Sequence, residues 1–258
     1  MPIEGILLNV ADVGRSVEFY SRFLGVTIVG EPTEETAVLD LVTATLELTR
    51  LRDPQPSTWV GDDLQRGFRH LGFKVDRIDP MVAELKSAGV AFHLDPLDAE
   101  GQVRITFFFD PDGTLLELVE GDLQYHSIAS ETGVASERAL GVPARPRFDH
   151  VAVTVVDFDS AAAFYAPLDF EHIGTITQPN DPRGFQIDYL KGGDTVLEVF
   201  AWKTETTPRD PQLDALGFVA VQLAAEQGVV GALAVGSTAG GRSVMSDPDG
   251  LTFTVETR

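Results

Sequence analysis

The chain repeats itself four times, and this constrains its fold more than any other feature. Residues 148–157 (FDHVAVTVVD) and 68–76 (FRHLGFKVD) are the clearest copies, each with a histidine five residues before a valine near the strand end. Residues 4–12 (EGILLNVAD) have the same shape with Gly5 at the histidine position. Residues 216–223 (LGFVAVQL) form a fourth copy without histidine. A second signature closes two copies: 109–118 (FDPDGTLLEL) and 246–255 (SDPDGLTFTV). Self-similarity at this level means that one supersecondary unit is used repeatedly.

Each copy reads as strand, helix, then about three strands. In the first, Asp12 offers an N-cap, Val13, Val17, Tyr20 and Leu24 recur at helical spacing, and Gly25 is the stop. In the second, residues 79–89 predict a helix with Asp79 at the cap, Pro80 in the first turn and Gly89 past the end. The fourth copy predicts a weak helix over 229–235, with Gly231 in its middle. The DPDG tetrapeptides read as turns between strands, because proline presets one dihedral and glycine takes the positive φ. Residues 124–147 have no sustained period and end in prolines, so they read as a linker between an N-terminal domain (1–123) and a C-terminal domain (148–258), each of two modules.

Composition narrows the function. Hydrophobic residues are 43% of 258, enough for a core, and no run of 18 apolar residues predicts a membrane span. Cysteine is absent, which excludes disulfide and thiolate chemistry and, with no visible secretory signal, gives a cytoplasmic expectation. A formal charge of −21 repels phosphate backbones and anionic lipid, so neither nucleic acid nor membrane is an expected partner.

Side chains alternate across a strand, and the strands sort accordingly. Leu71, Phe73 and Val75 oppose His70, Gly72 and Lys74; Leu46 and Leu48 oppose Glu47. Leu116 and Leu118 oppose Glu117, three valines oppose His150, and Leu197 and Val199 oppose Glu198. A sheet with one wet face produces this alternation, and so does a concave sheet whose polar face lines a cavity.

The repeated module, the histidine early in the strand, the LEL strand and the DPDG ending resemble the vicinal oxygen chelate superfamily. This group includes glyoxalase I, bleomycin-binding proteins and extradiol dioxygenases. The resemblance implies an α+β fold of four βαβββ modules in two tandem glyoxalase-like domains, each a cupped mixed sheet with helices outside. It also implies a divalent metal (Zn, Ni, Co, Mn or Fe(II)) held by residues of first and last strands. Carried over, it puts Gly5, Glu47, His70 and Glu117 at the ligand positions of the N-terminal half. In the C-terminal half it puts His150, Glu198, Ala215 or Gly217, and Thr254 there. The expected metal site is therefore Glu47, His70 and Glu117, with His150 and Glu198 as a second, weaker candidate. His93, His126 and His172 are assigned no role.

The implied activity is that of a metal-dependent lyase or isomerase acting on a small oxygenated substrate through an enediolate-type intermediate. Glu117 or Glu47 would be the base. The alternatives are a non-catalytic drug- or metabolite-binding protein of the bleomycin-resistance kind and, less favoured, an extradiol dioxygenase. The expected partner is a small molecule, to a monomer or homodimer.

Overall fold

The computed structural model describes residues 3–225 and 229–257. The first module runs β1 (Ile3–Val10), α1 (Val13–Leu24), β2 (Thr27–Val29), β3 (Thr36–Asp40) and β4 (Thr45–Arg50). The second runs β5 (Gly67–Val75), α2 (Ile78–Ser87), β6 (Phe92–Ala99), β7 (Val103–Phe109) and β8 (Leu115–Glu120). After β9 (Ser127–Ile128) and α3 (Glu131–Ala139), the third runs β10 (Arg147–Val155), α4 (Phe158–Tyr165), β11 (Glu171–Thr177), β12 (Phe185–Gly192) and β13 (Thr195–Trp202). The fourth comprises β14 (Gly217–Ala225), β15 (Leu233–Ser237), β16 (Ser243–Ser246) and β17 (Thr252–Thr257).

In every module the first strand pairs in parallel with the last, and the remaining pairs are antiparallel. A parallel pair needs a crossover, which α1, α2 and α4 supply in the first three modules. Local chemistry fixes those helices. Asp12 accepts from Arg15 N at 2.8 Å, and Asp157 accepts from Ser160 N at 2.9 Å. Gly25 ends α1 at φ +61°. The second helix begins two residues earlier than the sequence predicts, with Arg77 rather than Asp79 at the cap: Asp79 lies in its first turn, and Ile78 N donates to Glu120 on β8.

Modules join through their first strands, β1 with β14 and β5 with β10, both antiparallel. Modules one and four thus make an eight-stranded sheet, and modules two and three, with β9 at the edge, a nine-stranded one. Each sheet takes one module from each half of the chain. The main core contains residues of all four modules, among them Leu8, Leu46, Phe73, Phe148, Val199 and Phe253. Within each half, a helix tyrosine grips a DPDG turn. Tyr20 donates to Asp110 at 2.8 Å, and Tyr165 to Asp247 at 2.7 Å, all four groups buried.

One expectation is corrected, and one segment is more structured than its sequence suggests. Residues 229–235 are not a helix: Gly231 has φ +83°, outside helical space, and β15 begins at Leu233. Residues 124–147 carry structure of their own. There β9 pairs with β11, Ser130 caps α3 by accepting from Gly133 N, and Gly133 lies so close to Ile173 that an added Cβ would be 2.3 Å from its Cγ2.

Candidate metal centre

The β5–β10 pairing sets the site. His150 lies opposite Gly72, and Ala152 opposite His70. In turn Gly72 is beside Glu117 on β8, and Ala152 beside Glu198 on β13. Two copies of one pattern, a histidine followed two residues later by a small residue, therefore face each other about a local two-fold. Gly72 is required sterically, since a Cβ there would stand 2.0 Å from His150 Cε1.

The four side chains converge. His70 Nε2 and His150 Nε2 are 3.2 Å apart, and Glu117 Oε2 is 3.1 and 3.0 Å from them. Glu198 Oε2 is 3.3 Å from each ring nitrogen. One ligand atom from each residue lies within 4.8 Å of all the others, and all four residues are buried.

Supporting contacts orient the group. Asp149 Oδ2 is 3.2 Å from His150 Nδ1, which favours a proton on Nδ1 and turns Nε2 to the centre. Tyr189 donates to Glu198 Oε1 at 2.9 Å. The His70 ring lies edge-on to Phe107, centroids 4.9 Å apart. Burial pushes the Glu117 carboxyl up, but hydrogen bonds and charge from His150 and His70 outweigh it and hold it at about 2. Burial pulls His150 down, and Glu198, Asp149 and Glu117 together raise it well above the ordinary imidazole range.

The donor set fits a divalent ion. Ligand atoms each about 2.1 Å from one ion stand roughly 3 Å apart, close to the imidazole–carboxylate separations above. Glu198 Oε2 is buried without a hydrogen-bond partner, as an atom reserved for an ion would be. Two imidazoles with two carboxylates suit Mn, Fe(II), Co, Ni or Zn.

The trio expected from the sequence is not brought together. His70 and Glu117 meet, but their partners are His150 and Glu198 from the third module. Glu47 is on β4 in the other sheet, ion-paired with Arg242. The reason is the pairing of module two with module three rather than with module one. In the eight-stranded sheet the register puts Gly5, Glu47, Ala220 and Thr254 at the matching positions. Ala220, rather than Ala215 or Gly217, is the counterpart of His70, and Glu47 is the one strong ligand type in that set. His126 and His172 are engaged by Thr177 and Asp188, and His93 by Phe109, all outside the cluster. Asp149 and Tyr189 are additions that the strand alternation did not single out, and Gly72 stood in that alternation without a role. The glycine two residues after His70 was their one visible signal.

A cavity of about 260 Å³ opens on the centre. Ile105, Phe107, Leu123, Ile187 and Phe200 give it apolar walls. Arg69 on its rim donates to Asp63 at 2.8 Å and lies 4.1 Å over the Phe200 ring.

Comparison with known proteins agrees with this architecture. The family model "Glyoxalase/Bleomycin resistance protein/Dioxygenase superfamily" matches residues 3–118. Uncharacterized protein YwkD of Bacillus subtilis is 35% identical over 127 residues, which cover 46% of this chain and 95% of that protein. The chain belongs to the glyoxalase/bleomycin resistance protein/dioxygenase superfamily. A lactoylglutathione lyase of Schizosaccharomyces pombe is 34% identical over 45% of this chain, and uncharacterized protein YaeR of Escherichia coli is 52% identical over 21% of it. The matched segments span only 34% and 42% of those two proteins. Within the superfamily, a mutant glyoxalase I from Zea mays shares the fold over 98% of this chain and 91% of its own (TM-score 0.67, 19% identity). A putative dioxygenase from Bacillus subtilis shares it over 100% and 85% (TM-score 0.65, 14% identity).

Proposed function

We propose that this protein is a divalent-metal-dependent lyase or isomerase of the glyoxalase type, with the ion held by His70, Glu117, His150 and Glu198. The convergence of those four ligand atoms within 4.8 Å carries the reading. A bound divalent ion supplies Lewis-acid polarisation of a substrate carbonyl oxygen.

The chain's own residues divide the remaining work. Glu117, its carboxyl held low beside the two imidazoles, stays ionised as a ligand for the ion. Glu198 is the carboxylate suited to move the proton at the carbon next to the carbonyl. Its Oε2 accepts no hydrogen bond, while Tyr189 steadies Oε1. This reassigns the base expected at Glu117 or Glu47, since Glu47 is bound to Arg242 in the other sheet. The apolar walls exclude water from a developing negative charge and strengthen electrostatic stabilisation of it. The eight-stranded sheet, left with Glu47 and Thr254, serves as scaffold. A small-molecule substrate and a location in the cytoplasm belong to the same reading. Among the described residues no helix is long and apolar enough to cross a membrane.

Lactoylglutathione, the compound in the name of the yeast relative, is the first substrate to test. Metal-restored protein should exchange solvent deuterium into it, and Glu198→Gln should lower that rate by about 10²-fold or more. Glu47→Gln should leave it within about twofold. A metal-independent rate, or equal loss in the two variants, would overturn the proposal.

A further inference from the structure

A second hollow, of about 220 Å³, lies where the two sheets meet, away from the four-residue cluster. Its floor is the Phe68–Phe218 pair, stacked with ring centroids 3.9 Å apart and planes 2° apart. Trp59 forms a wall, fixed by its Nε1 donating to Phe68 O at 3.2 Å.

Two polar groups line this hollow with nothing to bind. Arg209 makes no ion pair or side-chain hydrogen bond among the described residues, although burial lowers its guanidinium pKa. In a chain with 40 acidic and 19 basic residues, an unpaired half-buried arginine is conspicuous. Thr114 is 3% exposed, and its Oγ1 has no partner. The repeat does not demand a hydroxyl there: the second DPDG turn carries Leu251 at the matching position, fully buried. Asp112, also at the hollow, is already engaged, with Oδ1 accepting from Ala11 N and Arg15 and Oδ2 from Ser16.

The repeat supplies an internal comparison. Across the Phe68–Phe218 stack, the equivalent backbone position is more tightly packed. A Cβ on Gly67 would meet Gly250 O at 2.9 Å, whereas one on Gly217 meets only Thr114 Oγ1, at 3.4 Å. The two sides of the stack are therefore not built alike.

We propose that it binds a small planar carboxylate of the arene type. A guanidinium fork matches a carboxylate in two-point geometry. The aromatic floor and wall suit a ring. One guanidinium balances one negative charge, and Asp112 at the rim disfavours the second charge of a phosphate monoester. Trp59, Phe68 and Leu115 also line a neighbouring hollow of about 200 Å³ that reaches His70, so an occupant here leans on the strand that carries a metal-centre histidine.

The test uses chelated, full-length protein titrated with benzoate, followed by calorimetry and saturation-transfer NMR. Benzoate should bind saturably, and Arg209→Gln should weaken it about tenfold or more and Arg209→Lys by a smaller amount. Unchanged melting temperatures in both variants separate loss of binding from loss of fold. Benzamide should bind about tenfold more weakly than benzoate. No saturable benzoate binding, equal binding by Arg209→Gln, tighter binding of phenyl phosphate than of benzoate, or binding that appears only after metal is restored would overturn the assignment.

Discussion

Gly72 faces His150 across the β5–β10 pair with no space between them for a methyl group, since a Cβ would stand 2.0 Å from Cε1. The imidazole rests on the glycine, and that contact lets two histidines from different modules bring their Nε2 atoms to 3.2 Å.

Gly72→Ala should therefore displace His150 while the sheet survives. The expected result is a loss of metal affinity of about tenfold or more, with a stability cost of about 1–3 kcal/mol. Competition with a chromophoric chelator measures the first and denaturant unfolding the second.

Asp149→Asn tests the outer contact on the same ring. An amide can still meet Nδ1 but no longer brings a negative charge, so metal affinity should fall by about 10- to 100-fold with little change in fold. Metal competition together with circular dichroism checks both parts.

The paired Tyr–Asp clamps predict a pH dependence. Burial outweighs the hydrogen bonds that Asp110 and Asp247 accept and lifts each carboxyl to about 6. A folded pKa above the unfolded value gives stability that is complete below about pH 4 and lost as pH rises through about 6. Each group contributes on the order of 2–3 kcal/mol. Glu117 acts in the opposite sense lower down: held at about 2, it contributes stability above its unfolded value that is lost as pH falls. Unfolding free energies measured from pH 4 to 7 should decline in wild type and flatten in Asp110→Asn/Asp247→Asn.

Much of this fold was legible in the sequence because the repeats carry their own punctuation. Asp12 and Gly25 bracket α1, and the alternation of β5 sends His70 away from Leu71 and Phe73. Residues 229–235 departed from expectation because three valines, two alanines and a leucine satisfied a weak helical pattern while Gly231 took a positive φ. The site was half legible. His70 and Glu117 share a module, and the parallel first-to-last strand pairing that joins them is a local property of that module. Which module lies beside it is decided by burial across the whole chain, and single-strand patterns do not record it. Hence Glu47, in the right register of the wrong sheet, was grouped with His70, and the His150–Glu198 pair was set apart from it.

Glu47→Ala is the contrasting control. The carboxylate is partly exposed and bound to Arg242, so its removal should change stability by no more than about 1 kcal/mol. Thermal unfolding beside wild type is the measurement.

Metal content after purification without chelator, read in wild type, His150→Ala and Glu47→Ala, decides whether the four-residue cluster holds an ion. About one ion per chain is expected in wild type and Glu47→Ala, and little or none in His150→Ala. An ion retained by His150→Ala, or lost from Glu47→Ala, would contradict that assignment.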